Sequence, residues 1–160
     1  MAIARVSVLT GHVLGSVIQT GLAIAIVMIV AVVIGFRPTT GPAEWMAATG
    51  LLVLTALAVS WLSVALGMAA NSVETASNTP MILILLLFLS SGFVPTDSMP
   101  GPLAWFAQYQ PFTSVIESIR GLLLGTPIGA NGLVAAAWCV GISVLGYLGA
   151  RRLYDRERAA

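Results

Sequence analysis

The chain is written as long apolar runs separated by short polar breaks. Val13 to Phe36 is apolar apart from Ser16, Gln19, Thr20 and a few glycines, and Trp45 to Ala70, Met81 to Val94 and Ala130 to Ala150 continue the pattern. A helix needs about 20 residues to cross the hydrocarbon core of a bilayer. The first, second and fourth runs meet that length. The third, alone, is too short, but starting the helix near Thr75 extends it. Pro80 then falls in the opening turns, near the end of a helix where its missing N–H is best tolerated. The breaks are punctuated accordingly. Phe36 to Glu44 carries Pro38, Gly41 and Pro42, and Asn71 to Asn78 is polar with one charge, Glu74. The pattern predicts an all-α integral membrane protein forming one membrane domain, residues 1–160. Its four transmembrane helices fall at about 13–36, 45–70, 76–94 and 130–150, with a polar tail at 151–160.

One stretch, Ser90 to Gly125, is neither continuously apolar nor a short loop. Pro102 to Gln108 predicts a short helix ended by Pro111. Trp105 and Tyr109 share a face of it, with rings suited to the headgroup level. Ser114 to Glu117 matches a capping box, in which Ser and Glu side chains satisfy the free N–H groups of a helix start. Val115, Ile116, Ile119, Leu122 and Leu123 then fall on one face, and Glu117 and Arg120 stand one turn apart, where they can pair. This predicts an extracytoplasmic helical hairpin at about 95–125, between the third and fourth spans, dipping into the outer leaflet. A pair of amphipathic helices lying on the surface fits the same residues.

Composition narrows the chemistry. The chain is 58% hydrophobic and 8% charged, against about 25% charged in a soluble domain. All seven cations are Arg, with no Lys. A phosphate-cradling P-loop and a Schiff-base mechanism both need a Lys, so both are excluded. His12 is the only histidine and Cys139 the only cysteine. Neither a metal site nor an intrachain disulfide can be built from them; His12 reads as a polar residue at a membrane boundary and Cys139 as a small buried hydrophobe. No ionisable side chain lies well inside a span, which counts against a proton-coupled pump. No catalytic constellation, cofactor or nucleic-acid partner is expected. Gly11 to Gly15, Gly121 to Gly125, Ser63 to Gly67 and Ala137 to Gly141 match the small-residue pattern that lets membrane helices approach closely. The first apolar run exceeds a signal peptide's and reads as a retained span. Four crossings put Arg5, Arg151, Arg152, Arg156 and Arg158 on one side, and Arg37 and Arg120 on the other. The positive-inside rule makes the first side, with both termini, cytoplasmic.

The run from Phe88 to Gly125 also resembles the signature of ABC-2 type transporter permeases, most closely the daunorubicin-resistance-like drug exporters. Leu89, Ser90, Phe93, Val94 and Pro95 match that family's Leu-Ser-x-x-Phe-Val-Pro. Met99-Pro100 and Gln110-Pro111 follow in order, and Arg120, Leu122 and Gly125 match its closing Arg-x-Leu-x-x-Gly. The resemblance implies a bacterial cell-membrane permease subunit that moves a hydrophobic compound outward, such as a drug or antibiotic. A separate cytoplasmic ATP-binding subunit would power it, and two copies of each would assemble. Arg5 and Glu74 become candidate contacts to the ATPase. Trp105, Tyr109, Pro111, Glu117 and Arg120 become candidate structural residues of the exit hairpin. Family permeases have six spans, and the first span here matches their third. The resemblance therefore implies that two spans and most of a cytoplasmic coupling helix are missing, with Met1 to Val8 as that helix's tail. A non-transporting scaffold or an inactive, truncated remnant is the alternative reading.

Overall fold

The computed structural model of the chain describes residues 6–37, 40–70, 72–93, 98 and 100–157. Six helices account for most of them, and no strand occurs among the described residues: α1 (Val6–Ile34), α2 (Pro42–Ala69), α3 (Val73–Phe88), α4 (Gly101–Tyr109), α5 (Pro111–Leu124) and α6 (Asn131–Glu157). Among the described residues, three stretches are long and apolar enough to cross a membrane: Thr10–Ile34, Pro42–Ala69 and Asn131–Leu153. These occupy the first, second and fourth apolar runs.

The centre of the molecule is the contact between α2 and α6. Gly146 sits directly on the backbone of α2. A Cβ placed there would lie 2.7 Å from the Trp61 carbonyl carbon and 2.9 Å from the Leu62 nitrogen. Along α6, Ala135, Cys139, Ser143, Gly146 and Ala150 form one buried stripe of small residues. Hydrocarbon outside is as apolar as a Leu side chain, so no hydrophobic gain drives two helices together in a bilayer. Dispersion contacts do, and they need close backbones. The large apolar side chains accordingly point outward: Leu133 and Leu145 on α6 are exposed, as are Ile18, Val33 and Ile34 on α1.

The register of the pair is fixed by three contacts. Thr55 Oγ1 lies 3.4 Å from Cys139 Sγ, Gly146 meets Trp61, and Gly149 approaches Ala65 at 3.6 Å. Numbers rise together, so α2 and α6 run parallel. The Tyr147 ring stands edge-on to Trp61 at 5.1 Å and 89°. Val13 of α1 is buried with Trp61 and Ala150. The start of α1 and the later part of α6 therefore share one end of the bundle, and α1 runs antiparallel to both.

Helix α5 is packed against the other halves of α2 and α6. Val115 belongs to a buried cluster with Leu51, Ala58, Ala135 and Cys139, flanked by Ile119. At the opposite end of α5, Thr40 Oγ1 donates to the Leu123 carbonyl at 3.5 Å. From Leu123 back to Val115 is roughly 12 Å of helix. The N-terminal end of α5 is thus sunk toward the middle of α2, and its C-terminal end stands beside the α1–α2 turn.

Two expectations are corrected here. The capping box at Ser114 does not form. Pro111, whose fixed φ suits a first helical position, starts α5 three residues earlier with Gln110 as N-cap. Ser114 is then inside the helix, its carbonyl accepting from Ser118 Oγ at 2.6 Å. The inward face also differs. Thr113, Ser114, Val115, Ser118 and Gly121 are buried, whereas Ile116, Ile119, Leu122 and Leu123 are only half-buried. Packing among helices selected the small face over the apolar one.

In a chain with 16 Gly, chance matches to the glycine pattern are expected, and most of these are of that kind. Gly11, Gly15, Gly67 and Gly141 have no neighbour within 4 Å of where a Cβ would stand, so they make no close helix contact among the described residues. Gly121 to Gly125 is a helix stop. Gly125 takes φ 71°, in the left-handed region that favours glycine. Thr126 N–H then bonds the Gly121 carbonyl at 3.1 Å.

Helix α3 begins at Val73, with Ser72 Oγ accepting from Thr75 N–H at 3.1 Å as its cap. It is 16 residues long, roughly 24 Å at 1.5 Å per residue against a hydrocarbon core of about 30 Å. The expected span at 76–94 is therefore represented by a shorter helix that starts and stops earlier; Val94 lies outside the described residues.

The α2–α6 contact yields a direct test. Gly146→Leu drives a side chain into the α2 backbone and is expected to cost about 1–3 kcal/mol or more. Gly141→Leu, facing open space, should leave the melting temperature of detergent-solubilised protein unchanged. Equal melting curves for the two variants would refute the packing.

Candidate functional site

A helix end buried away from water leaves backbone groups that protein partners must satisfy. The end of α3 meets this demand with hydroxyls. Ser90 is fully buried, and its Oγ donates to the Leu87 carbonyl while accepting from Gly92 N–H at 3.3 Å. Ser91 N–H donates to Thr113 Oγ1 at 3.2 Å across 22 residues of chain. Gln110 Nε2 reaches the same oxygen at 3.5 Å. Thr113 thereby ties the break after α3 to the start of α5. The knot is not fully satisfied, since Ser91 Oγ and Gln110 Oε1 are buried without a partner. Gly92 is confined too, as a Cβ there would lie 3.0 Å from Ile116 Cδ1.

The candidate hairpin residues surround this knot. Glu117 and Arg120 do pair, Nη1 to Oε1 at 3.0 Å, on an exposed face. Arg120 Nη2 also reaches the Ser91 carbonyl at 3.5 Å, adding a donor to the break. Trp105 and Tyr109 lie side by side on α4, ring centroids 5.4 Å apart, both exposed. Pro111 is the first residue of α5, and Gln110 is the extended residue separating α4 from α5. Glu74 is exposed in the first turn of α3, at the end remote from the knot. Arg5 lies outside the described residues. Nothing in the structure brings Glu74 to the hairpin group.

Sequence reasoning passed over the knot itself. Ser90, Ser91, Thr113 and Ser118 were legible only as polar letters within a membrane-flanked segment, and Ser90 only as a motif letter. The usable signal was the pairing of two short hydroxyl clusters, one on each side of a chain break that had to be buried.

A second feature runs along the seam between α1 and α2. These helices diverge enough to leave two adjoining clefts, of about 330 and about 530 Å³. Both are bordered by Thr20, Ile24, Leu52 and Ala56. Among the described residues no cluster of His, Cys, Asp or Glu could hold a metal ion.

Three membrane-length helices, two of them locked by small residues, and a shorter helix seated between their halves define a multi-pass membrane domain. The ABC-2 type transporter family model matches residues 1–124 of the 160, and the chain belongs to that family. It is 32% identical over 135 residues to the daunorubicin resistance ABC transporter permease protein DrrB1 of Streptomyces coeruleorubidus, covering 84% of this chain and 45% of the relative. It is 23% identical over 145 residues to the probable doxorubicin resistance ABC transporter permease protein DrrC of Mycobacterium tuberculosis, covering 91% and 52%. Nodulation protein J of Rhizobium meliloti matches at 30% over 105 residues, covering 63% and 40%. The chain spans about half the length of the first relatives it matches. No solved structure matches it.

The knot predicts an order of sensitivity. Thr113→Val leaves the buried Ser91 N–H without its acceptor and should cost about 1–3 kcal/mol. Glu117→Ala removes an exposed one-turn pair and should cost about 0.2–0.5 kcal/mol. Thermal unfolding in detergent reads both; a Glu117 variant weaker than the Thr113 variant would contradict this account.

Proposed function

We propose that the chain is membrane-subunit sequence of an ATP-binding-cassette exporter that moves a hydrophobic compound out of the cell. Family membership carries this reading. The drug-resistance permeases among its relatives support the substrate class, and the absence of Lys from the sequence leaves nucleotide hydrolysis to a partner chain. In this reading two copies associate with two ATPase subunits, and the contact to the ATPase lies at the bundle end that holds both the start of α1 and the tail of α6.

The course of the helices supports a topology for this reading. Chain direction reverses from α1 to α2. It must reverse again before α6, because α6 runs parallel to α2. In this reading the segment from α3 to α5 carries the chain back across, giving four crossings with both termini on one side. Arg151 and Arg152, exposed on α6, favour that side being cytoplasmic. Helices α4 and α5 form the re-entrant hairpin: the start of α5 sits at the depth of Ala58, and its end stands at the outer face. Such a wedge closes the outer mouth. Movement of α2 and α6 at the cytoplasmic end would be carried along both helices to Val115 and open an apolar exit.

Two measurements test the reading. The chain, used as bait in membranes of its native host, is expected to co-purify with an ATP-binding-cassette ATPase subunit; a chain that never associates with one sinks the exporter reading. For topology, single cysteines replacing Glu74 and Leu124 in a Cys139→Ser background should react with an impermeant maleimide from opposite faces of the membrane. Labelling of both from one face rules out the four-crossing arrangement.

A further inference from the structure

Gln19 stands in the apolar interior of α1 with nothing to pair with. The span Thr10–Ile34 is centred on Leu22, and Gln19 lies roughly 4.5 Å from that centre at 1.5 Å per residue. The edge of a hydrocarbon core about 30 Å thick is then roughly 10 Å away, out of reach for a side chain shorter than the Lys and Arg that snorkel. Gln19 is exposed and makes no hydrogen bond among the described residues. The shallow depression it borders is lined by α1 residues alone. An amide left unpaired in hydrocarbon is costly, so its face calls for a polar partner.

Gln19 also opens a regular pattern. Leu22, Ile26, Ile29 and Val33 follow it at alternating steps of three and four. That is the spacing of a coiled coil, with Gln19, Ile26 and Val33 at a positions and Leu22 and Ile29 at d. At 100° per residue the stripe lies about 180° around α1 from Val13, Val17 and Ile24. Val13 is buried with Trp61 of α2, so the stripe points away from α2. Leu22, Ile26, Ile29 and Val33 are exposed accordingly. Apolar exposure alone means nothing in lipid; the amide is what sets this face apart from the other outward faces.

The amide also selects the occupant. An acyl chain, or a helix bearing only apolar side chains, leaves it unpaired. A carboxamide carries both donors and an acceptor and is complementary to itself. Copies of one chain inserted the same way have parallel α1 helices, and in a parallel pair each a residue meets its counterpart. Gln19 then meets Gln19 of the second copy at the two-fold axis of an isologous contact. Branched Ile26 and Val33 at a with Leu22 at d favour two strands, and a single polar a residue fixes their register. We propose that a second copy of this chain docks on the outer face of α1, in a parallel, in-register pair of α1 helices joined by their Gln19 amides. This goes beyond the exporter reading, which calls for two copies and assigns them no contact.

The test uses the full chain in phospholipid vesicles under mild oxidation. Ile26→Cys in a Cys139→Ser background puts one thiol on the stripe, where counterparts approach within the roughly 7 Å that a disulfide can span. It is expected to link two copies. Val27→Cys, adjacent and also exposed, points off the stripe and should not. Adding Gln19→Leu to Ile26→Cys should lower the linked fraction about three- to tenfold. Gln19→Asn, which keeps an amide, should lower it less. All these positions face outward, so the α2–α6 contact is untouched and a loss reads as lost pairing rather than unfolding. Equal linking by Ile26→Cys and Val27→Cys overturns the proposal, as does full linking with Gln19→Leu. So does an Ile26→Cys chain that, in native-host membranes, links to a different protein in place of a second copy, which would give the face to that protein. A chain that recruits an ATPase yet does not link through Ile26→Cys refutes the α1 pair alone. One that links as expected without recruiting an ATPase supports the pair and refutes the exporter reading.

Discussion

Everything in this bundle hangs on the near-contact of two backbones where Gly146 rests on Trp61. In water such a site would be one of many buried contacts. In a bilayer, apolar side chains lose nothing by facing outward, so close approach is the main source of cohesion. The stripe from Ala135 to Ala150 keeps α2 and α6 tight over about four turns. With that pair fixed, Val115 and Ile119 have a cleft to occupy, and α5 is placed by it. With α5 placed, Thr113 is where the break after α3 needs an acceptor.

The hydroxyls show how an interior without water is kept polar at low cost. Thr55, Ser118 and Ser143 each donate to the carbonyl four residues back at 2.6–2.7 Å. Each is satisfied within its own helix and can sit at a contact without demanding anything from the neighbour. The Ser90 and Thr113 hydroxyls do the opposite: Ser90 Oγ also accepts from Gly92 N–H beyond the helix end, and Thr113 Oγ1 accepts from Ser91 N–H on another element. The same residue type is silent within a helix and directive at a chain break.

The sequence made the crossing helices plain and hid how they face one another. A run such as Val13 to Phe36 must be a membrane helix whatever it touches, because length and apolarity alone decide it. Facing could not be read in the same way. The five apolar residues of α5 pointed to one side by periodicity, yet Ser114, Ser118 and Gly121 turned inward, since lipid competes with protein for Ile and Leu but not for close packing. The buried stripe of α6 was missed for the same reason: in a chain rich in Ala and Gly, small residues recur everywhere, and only the partner's backbone distinguishes Gly146 from Gly141. Of the candidate site, the Glu117–Arg120 and Trp105–Tyr109 neighbours were legible because both are local on one helix. The Ser91–Thr113 link, 22 residues long, was not.

The parallel course of α2 and α6 has an electrostatic consequence. Each helix carries a dipole equivalent to roughly half an elementary charge at either end, and two parallel dipoles side by side in a medium of low permittivity repel. Helix α1 lies against α2 in the opposite sense, and α5 lies against both members of the pair in the opposite sense. Removing or displacing α5 would strip that compensation from the ends of α2 and α6 near Pro42 and Asn131. The seated helix therefore holds the pair's fields in balance as well as filling its cleft, and any motion that lifts α5 also changes the electrostatic potential at those helix ends.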